Sequence, residues 1–147
     1  AAKGFAAEEH FNMFLDKNNI QYSQNIGMYA KSDHDVNGTG YQVKTTYPNG
    51  TTKDKWAFKT HKSHGHGVGE LYKNDAFDVV AVFVGYEPQE KSKLVDLVDK
   101  YTPSSVSTKF IFIRISEIEE HPDHPGYLKR VSKVPKDKYT INDTSIF

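Results

Sequence analysis

Asp33-His34-Asp35-Val36-Asn37-Gly38-Thr39-Gly40-Tyr41-Gln42-Val43-Lys44 is the stretch on which the fold of this chain turns. Asn-Gly between two alternating segments is a strong β-hairpin signal, so residues 33–36 and 41–47 are expected to pair antiparallel. Side chains alternate along a strand, which places Gln42 and Lys44 on one face and Tyr41 and Val43 on the other. Asp33 and Asp35 likewise share a face of the first strand. A loop of residues 37–40 sets Asp35 across from Gln42, whereas a turn of Asn37-Gly38 alone sets Asp33 there. In either register a carboxylate, an amide and an ammonium converge on one patch, and Asp35 is taken as the expected carboxylate.

Outward from the hairpin, the elements are easier to read. Residues 3–19 carry Ala7, Phe11, Phe14 and Leu15 on one helical stripe, with Glu8 at its edge. Residues 20–30 read as an irregular strand. Residues 55–60, Lys-Trp-Ala-Phe-Lys-Thr, alternate again and are expected as the third strand of an antiparallel meander, with Trp56 and Phe58 in the core. Residues 61–69 are rich in Gly and His and read as a loop. Residues 77–86 are nearly all apolar, as a central strand buried on both faces would be. Residues 89–101 have helical spacing and stop before Pro103. Residues 109–115 form a second core strand, and the tail beyond Glu117 reads as irregular. The expected fold class is therefore mixed α/β (α+β): a central mixed sheet containing an antiparallel meander, flanked by helices, in a single domain over residues 1–147.

Bulk properties narrow the function classes. At 37% hydrophobic and 26% charged residues, the chain has the makings of a core. There is no cysteine, which excludes disulfides and thiolate-zinc sites. Nineteen Lys+Arg balance nineteen Asp+Glu, so a nonspecific basic coat protein is not expected. No apolar run reaches the roughly 18–20 residues of a membrane span, and no secretory signal pattern opens the chain, so no membrane partner and a cytoplasmic location are expected.

The hairpin patch suits phosphodiester hydrolysis. Mg²⁺ takes hard oxygen ligands, commonly one or two carboxylates plus waters and a phosphate. Asp35 would be the main carboxylate ligand and Gln42 a neutral oxygen ligand or water-orienting group. Lys44 would stabilise charge developing on the phosphorus centre and help position the attacking water. Glu8 would add a second carboxylate from the helix. Mn²⁺ is expected to substitute for Mg²⁺.

These residues carry a resemblance. An Asp on one strand followed by (Glu/Asp/Gln)-x-Lys on the next resembles the PD-(D/E)xK nuclease superfamily. Lys3-Gly4-x-x-Ala7-Glu8, then Asp35-Val36, then Tyr41-Gln42-Val43-Lys44-Thr45 resemble its group I intron homing endonucleases, which use Gln in place of the acidic residue. The resemblance covers about residues 3–85 and departs from the family pattern in lacking a Pro before Asp35. It implies a restriction-endonuclease-like core and Mg²⁺-dependent, site-specific cleavage of double-stranded DNA, of homing or restriction type. It also implies a homodimer or higher homo-oligomer from a prokaryote or phage.

Each feature also has a plainer account. A noncatalytic DNA-binding module of the same fold would share the hairpin. The hairpin face and Glu8 are both compatible with ordinary solvated surface. Lys53, Lys55, Lys59, Lys62, His64 and His66 are the expected DNA contacts, against the alternative of a charged exposed strand and a flexible loop. His61, His64 and His66, with His34, would be the ligands if the chain were instead a His-loop metal-binding or interaction protein. Lys129, Arg130, Lys133, Lys136 and Lys138 form a basic tail that is either a DNA-backbone arm or soluble surface.

Overall fold

The protein is described from a computed structural model, over residues 2–24, 33–46, 50–62, 65–85 and 108–147, with side chains from residue 6 onward. Helix α1 runs Ala2–Lys17 and is followed by strands β1 (Ser23–Gln24), β2 (His34–Val36), β3 (Thr39–Thr45), β4 (Lys55–Lys59), β5 (Val79–Phe83), β6 (Phe110–Arg114) and β7 (Val131–Pro135). The expected helix over residues 89–101 and His64 lie outside the described residues. Among the described residues no helix is long and apolar enough to cross a membrane.

Five strands form one mixed sheet in the order β1-β2-β3-β5-β6, with β3 and β5 parallel and the other pairs antiparallel. β5 lies inside the sheet between β3 and β6, and Val79, Val80, Ala81, Val82 and Phe83 are all buried, which accounts for its unbroken apolar sequence. One face of the sheet packs under α1, where Phe11, Phe14 and Leu15 meet Tyr41, Val43, Phe83, Phe110 and Phe112. The other face offers Val80, Val82, Ile111 and Ile113 to Trp56, Phe58, Tyr72 and Val134. The mixed α+β class with a central mixed sheet is thus the observed architecture.

Two strands depart from the sequence-based expectation. β4 is not the third strand of the meander. It pairs antiparallel with β7 in a separate two-stranded ribbon, from Lys55↔Pro135 to Lys59↔Val131. Its place beside β3 is taken by β5, which can bury both faces there, while β4 keeps Lys55 and Lys59 exposed. The tail beyond Glu117, read as irregular, supplies β7. Its inward residues are only Ser132 and Val134, too few to produce a visible alternation.

The hairpin register follows from backbone chemistry. Asn37 (φ 53°) and Gly38 (φ 83°) both have positive φ. That is the signature of a two-residue type I′ turn, whose twist matches the strands it joins. Val36 therefore faces Thr39, Asp35 faces Gly40 and His34 faces Tyr41.

Candidate active site

One step beyond His34↔Tyr41, the ladder brings Asp33 opposite Gln42. The Asp33 carboxylate accepts from Gln42 Nε2 at 3.0 Å and from the Val43 backbone N–H at 3.0 Å through the same oxygen, Oδ2. β2 begins at His34, so this carboxylate satisfies a β3 donor just outside the strand pairing. Asp35 is used differently: its Oδ1 accepts from Gly38 N at 3.0 Å and braces the turn. The expectation that Asp35 faces Gln42 is corrected in favour of Asp33, because the left-handed Asn37-Gly38 pair closes the shorter loop.

Lys44 lies two residues beyond Gln42 on the same face. Its Nζ donates to the His61 carbonyl at 3.0 Å and sits 5.0 Å from the centre of the Tyr72 ring. Burial lowers the Lys44 ammonium to about 8; the charges of Asp33 and Glu8 oppose that fall, and Lys59 adds to it. Glu8 arrives from α1, half-buried. Burial, with the Asp33 charge adding to it, raises its carboxyl to about 7, and Lys44 pulls the other way. Asp33 is also raised, mainly by burial, against the Val43 hydrogen bond, the Lys44 charge and the Gln42 hydrogen bond. Glu8, Asp33 and Lys44 are therefore one electrostatic unit, with Gln42 bonded into it. Three charged groups are held where water solvates them poorly, an arrangement that costs stability and is common at reactive centres.

Two members of this environment carry no sequence signal: the Tyr72 ring and the carbonyl of His61. Asp33 had a signal, the Asn-Gly turn, which favours two-residue loops.

The donor set can be tested against a divalent ion. Among the described residues no group of three or more His, Asp or Glu is assembled to hold one. Glu8 and Asp33 supply two carboxylates, and the Gln42 amide oxygen is not engaged in its bond to Asp33, which uses Nε2. An all-oxygen set of two carboxylates and an amide is too sparse for a protein-only cage. It fits Mg²⁺, which keeps waters and takes substrate phosphate oxygens to complete its shell.

The histidines split. His34 is a core residue, its Nε2 at 2.6 Å from Asn12 Oδ1 and its ring against Phe11 and Tyr22, and burial lowers it to about 4. His61 turns Nδ1 to the Lys62 carbonyl at 2.9 Å, and His66 is exposed. Lys53, Lys55 and Lys59 are exposed and Lys62 is half-buried. Trp56 and Phe58 point inward from β4, so Lys55 and Lys59 project outward, joined on that ribbon face by Lys133, which pairs with Ala57.

The chain is similar in fold to a bacterial homing endonuclease, I-Ssp6803I. The two superpose with a TM-score of 0.53 at 14% sequence identity, over 90% of this chain and 74% of the other. No protein-family model and no curated protein sequence matches the chain. At that identity the likeness establishes an endonuclease-like fold.

Proposed function

We propose that this protein is a Mg²⁺-dependent endonuclease that hydrolyses phosphodiester bonds of double-stranded DNA at a defined site, as a homing-type enzyme. The observation that carries the proposal is the assembly of Glu8, Asp33, Gln42 and Lys44 at the end of the β2–β3 ladder, within an endonuclease-like fold. On this reading Asp33 would take the Asp position of a PD-(D/E)xK-like site, with Gln42-x-Lys44 following.

Glu8, Asp33 and the Gln42 amide oxygen would hold the metal. When bound, Mg²⁺ polarises the scissile phosphate and lowers the pKa of a coordinated water. The chain's own groups do the rest. Asp33 is fixed by two hydrogen bonds and so presents its remaining carboxylate lone pairs in a set direction. Lys44 is anchored on the His61 carbonyl, and its charge adds electrostatic stabilisation as negative charge grows on the phosphate oxygens. An ammonium lowered to about 8 stays mostly protonated at neutral pH yet can exchange a proton with the attacking water.

Lys53, Lys55, Lys59, Lys62 and His66, with Lys133 from the facing strand, would contact the phosphate backbone. A net charge of zero is compatible with this because the lysines of the ribbon share its outward face. One such site cuts one strand at a time, so a double-strand cut calls for a homodimer or a higher symmetric oligomer. Incubation of the chain with mixed-sequence duplex DNA and Mg²⁺, followed by mapping of the ends, tests the proposal. Cleavage should vanish in Lys44→Ala while the variant remains folded. Undiminished cleavage in that variant would overturn the mechanism.

A further inference from the structure

The loop that supplies the Lys44 anchor is a built element. Its stems are paired: His61 bridges Leu71, and Lys62 N donates to Glu70 O at 2.7 Å. Near its top, Gly65 has φ +97°, and a Cβ there would lie 2.6 Å from the Gly69 carbonyl oxygen, so the two limbs touch. Arg130, at the entry to β7, ties both stems together. Its carbonyl accepts from Thr60 N at 2.8 Å, immediately before His61, and the neighbouring Lys129 carbonyl accepts from the Thr60 hydroxyl. Its guanidinium reaches the other stem, donating to Glu70 Oε2 at 2.5 Å and to the Gly67 carbonyl at 3.2 Å. One residue thus holds the entry and exit of the loop in register, and the first carbonyl of that loop receives Lys44 Nζ.

We infer that Arg130 and Glu70 form a clamp that positions Lys44, by fixing the His61–Leu71 loop whose carbonyl holds the ammonium. The inference rests on the proposed nuclease role of Lys44, and it gives Arg130 a task different from a DNA-backbone contact. Both members are positioning residues: neither reaches the reacting atoms. The pair is separated by 60 residues in sequence and joins the ribbon to the loop, so the alignment of Lys44 depends on both. Half-exposed side chains make the pair removable without opening the core.

Arg130→Gln and Glu70→Gln separate the clamp from the alternative. If the two act together, each lowers kcat on duplex DNA roughly 10–100-fold with KM within about twofold, the penalty of a small misplacement of a reacting group. A charge-swapped Arg130→Glu/Glu70→Arg protein should recover most of the loss. If Arg130 instead touches DNA, Arg130→Gln raises KM, Glu70→Gln lowers it or leaves it unchanged, and the swap restores nothing; that pattern overturns the clamp. A readout independent of activity is reductive methylation of Lys44 at fixed pH, followed by mass spectrometry. Both single variants should label Lys44 several-fold faster than wild type, and the swapped protein near the wild-type rate. Equal labelling in all four proteins overturns the clamp even where cleavage is seen. If wild type cuts no DNA while the labelling pattern holds, the nuclease reading falls and the clamp on Lys44 stands.

Discussion

Replacing Glu8 by Gln should make the fold more stable at pH 8 and leave it almost unchanged at pH 4. Burial and the Asp33 charge raise the Glu8 carboxyl from 4.5 to about 7. A group whose folded pKa lies above its unfolded value stabilises fully below the unfolded pKa and loses that contribution as pH rises through the folded pKa. The window is therefore about pH 4.5 to 7. A shift of roughly 2.5 units at 1.36 kcal/mol per unit gives an upper bound of about 3.4 kcal/mol. Glu8 is only half-buried, and solvent screening brings the expected difference to about 1–3 kcal/mol. Gln carries no charge at any pH, so the variant escapes the loss. Urea denaturation in EDTA at pH 4, 6 and 8, for wild type and Glu8→Gln, measures it directly. The gap should open between pH 4 and 8. A gap of the same size at all three values would refute the claim that Glu8 sits ionised against its surroundings.

Four further outcomes follow from the same structure. The Mg²⁺ concentration giving half-maximal cleavage should rise steeply as pH falls below about 7, approaching tenfold per unit, because protons compete for Glu8; a flat dependence between pH 5.5 and 7 would exclude Glu8 as a ligand. His34, lowered to about 4 by burial, contributes stability that is present above its unfolded pKa near 6.5 and is lost as pH falls towards 4. Its ring resonances in an NMR titration should stay in the neutral form down to about pH 4, and a midpoint near 6.5 would contradict its placement in the core. Gly38→Ala should cost about 1–2 kcal/mol by thermal or urea unfolding; a Cβ there meets nothing within 4 Å, so the cost is that of the positive φ alone. Removing Lys55, Lys59 and Lys133 together should flatten the dependence of log affinity on log salt by about 2–3 for duplex DNA, and an unchanged slope would take the ribbon off the DNA.

Much of this fold is written locally. The stripe of Ala7, Phe11, Phe14 and Leu15 marks α1, and the apolar run around Val79–Phe83 marks a strand buried on both faces. The alternation of Lys55-Trp56-Ala57-Phe58-Lys59 marks a strand too, but says nothing about its partner; β4 joins β7, some 75 residues away, through a strand with only two inward side chains. The two possible hairpin registers differ by two residues, which leaves every side chain on the same face. Hydrophobic patterning is therefore blind to the choice between Asp33 and Asp35. Turn chemistry decides it, through the left-handed Asn37-Gly38 pair. Gln42 and Lys44 follow from strand alternation alone. The His61 carbonyl, Tyr72 and the Arg130–Glu70 pair are brought to Lys44 only by tertiary contacts between segments distant in sequence.

Asp33→Asn and Asp35→Asn, assayed side by side for Mg²⁺-dependent cleavage of duplex DNA, give the most direct measurement of the site. Both are conservative, and Asp35 braces the turn, through Gly38 N. Asp33→Asn should abolish cleavage while remaining folded, and Asp35→Asn should retain it within a few-fold of wild type. An active Asp33→Asn protein beside an inactive, folded Asp35→Asn protein would contradict a site built on Asp33.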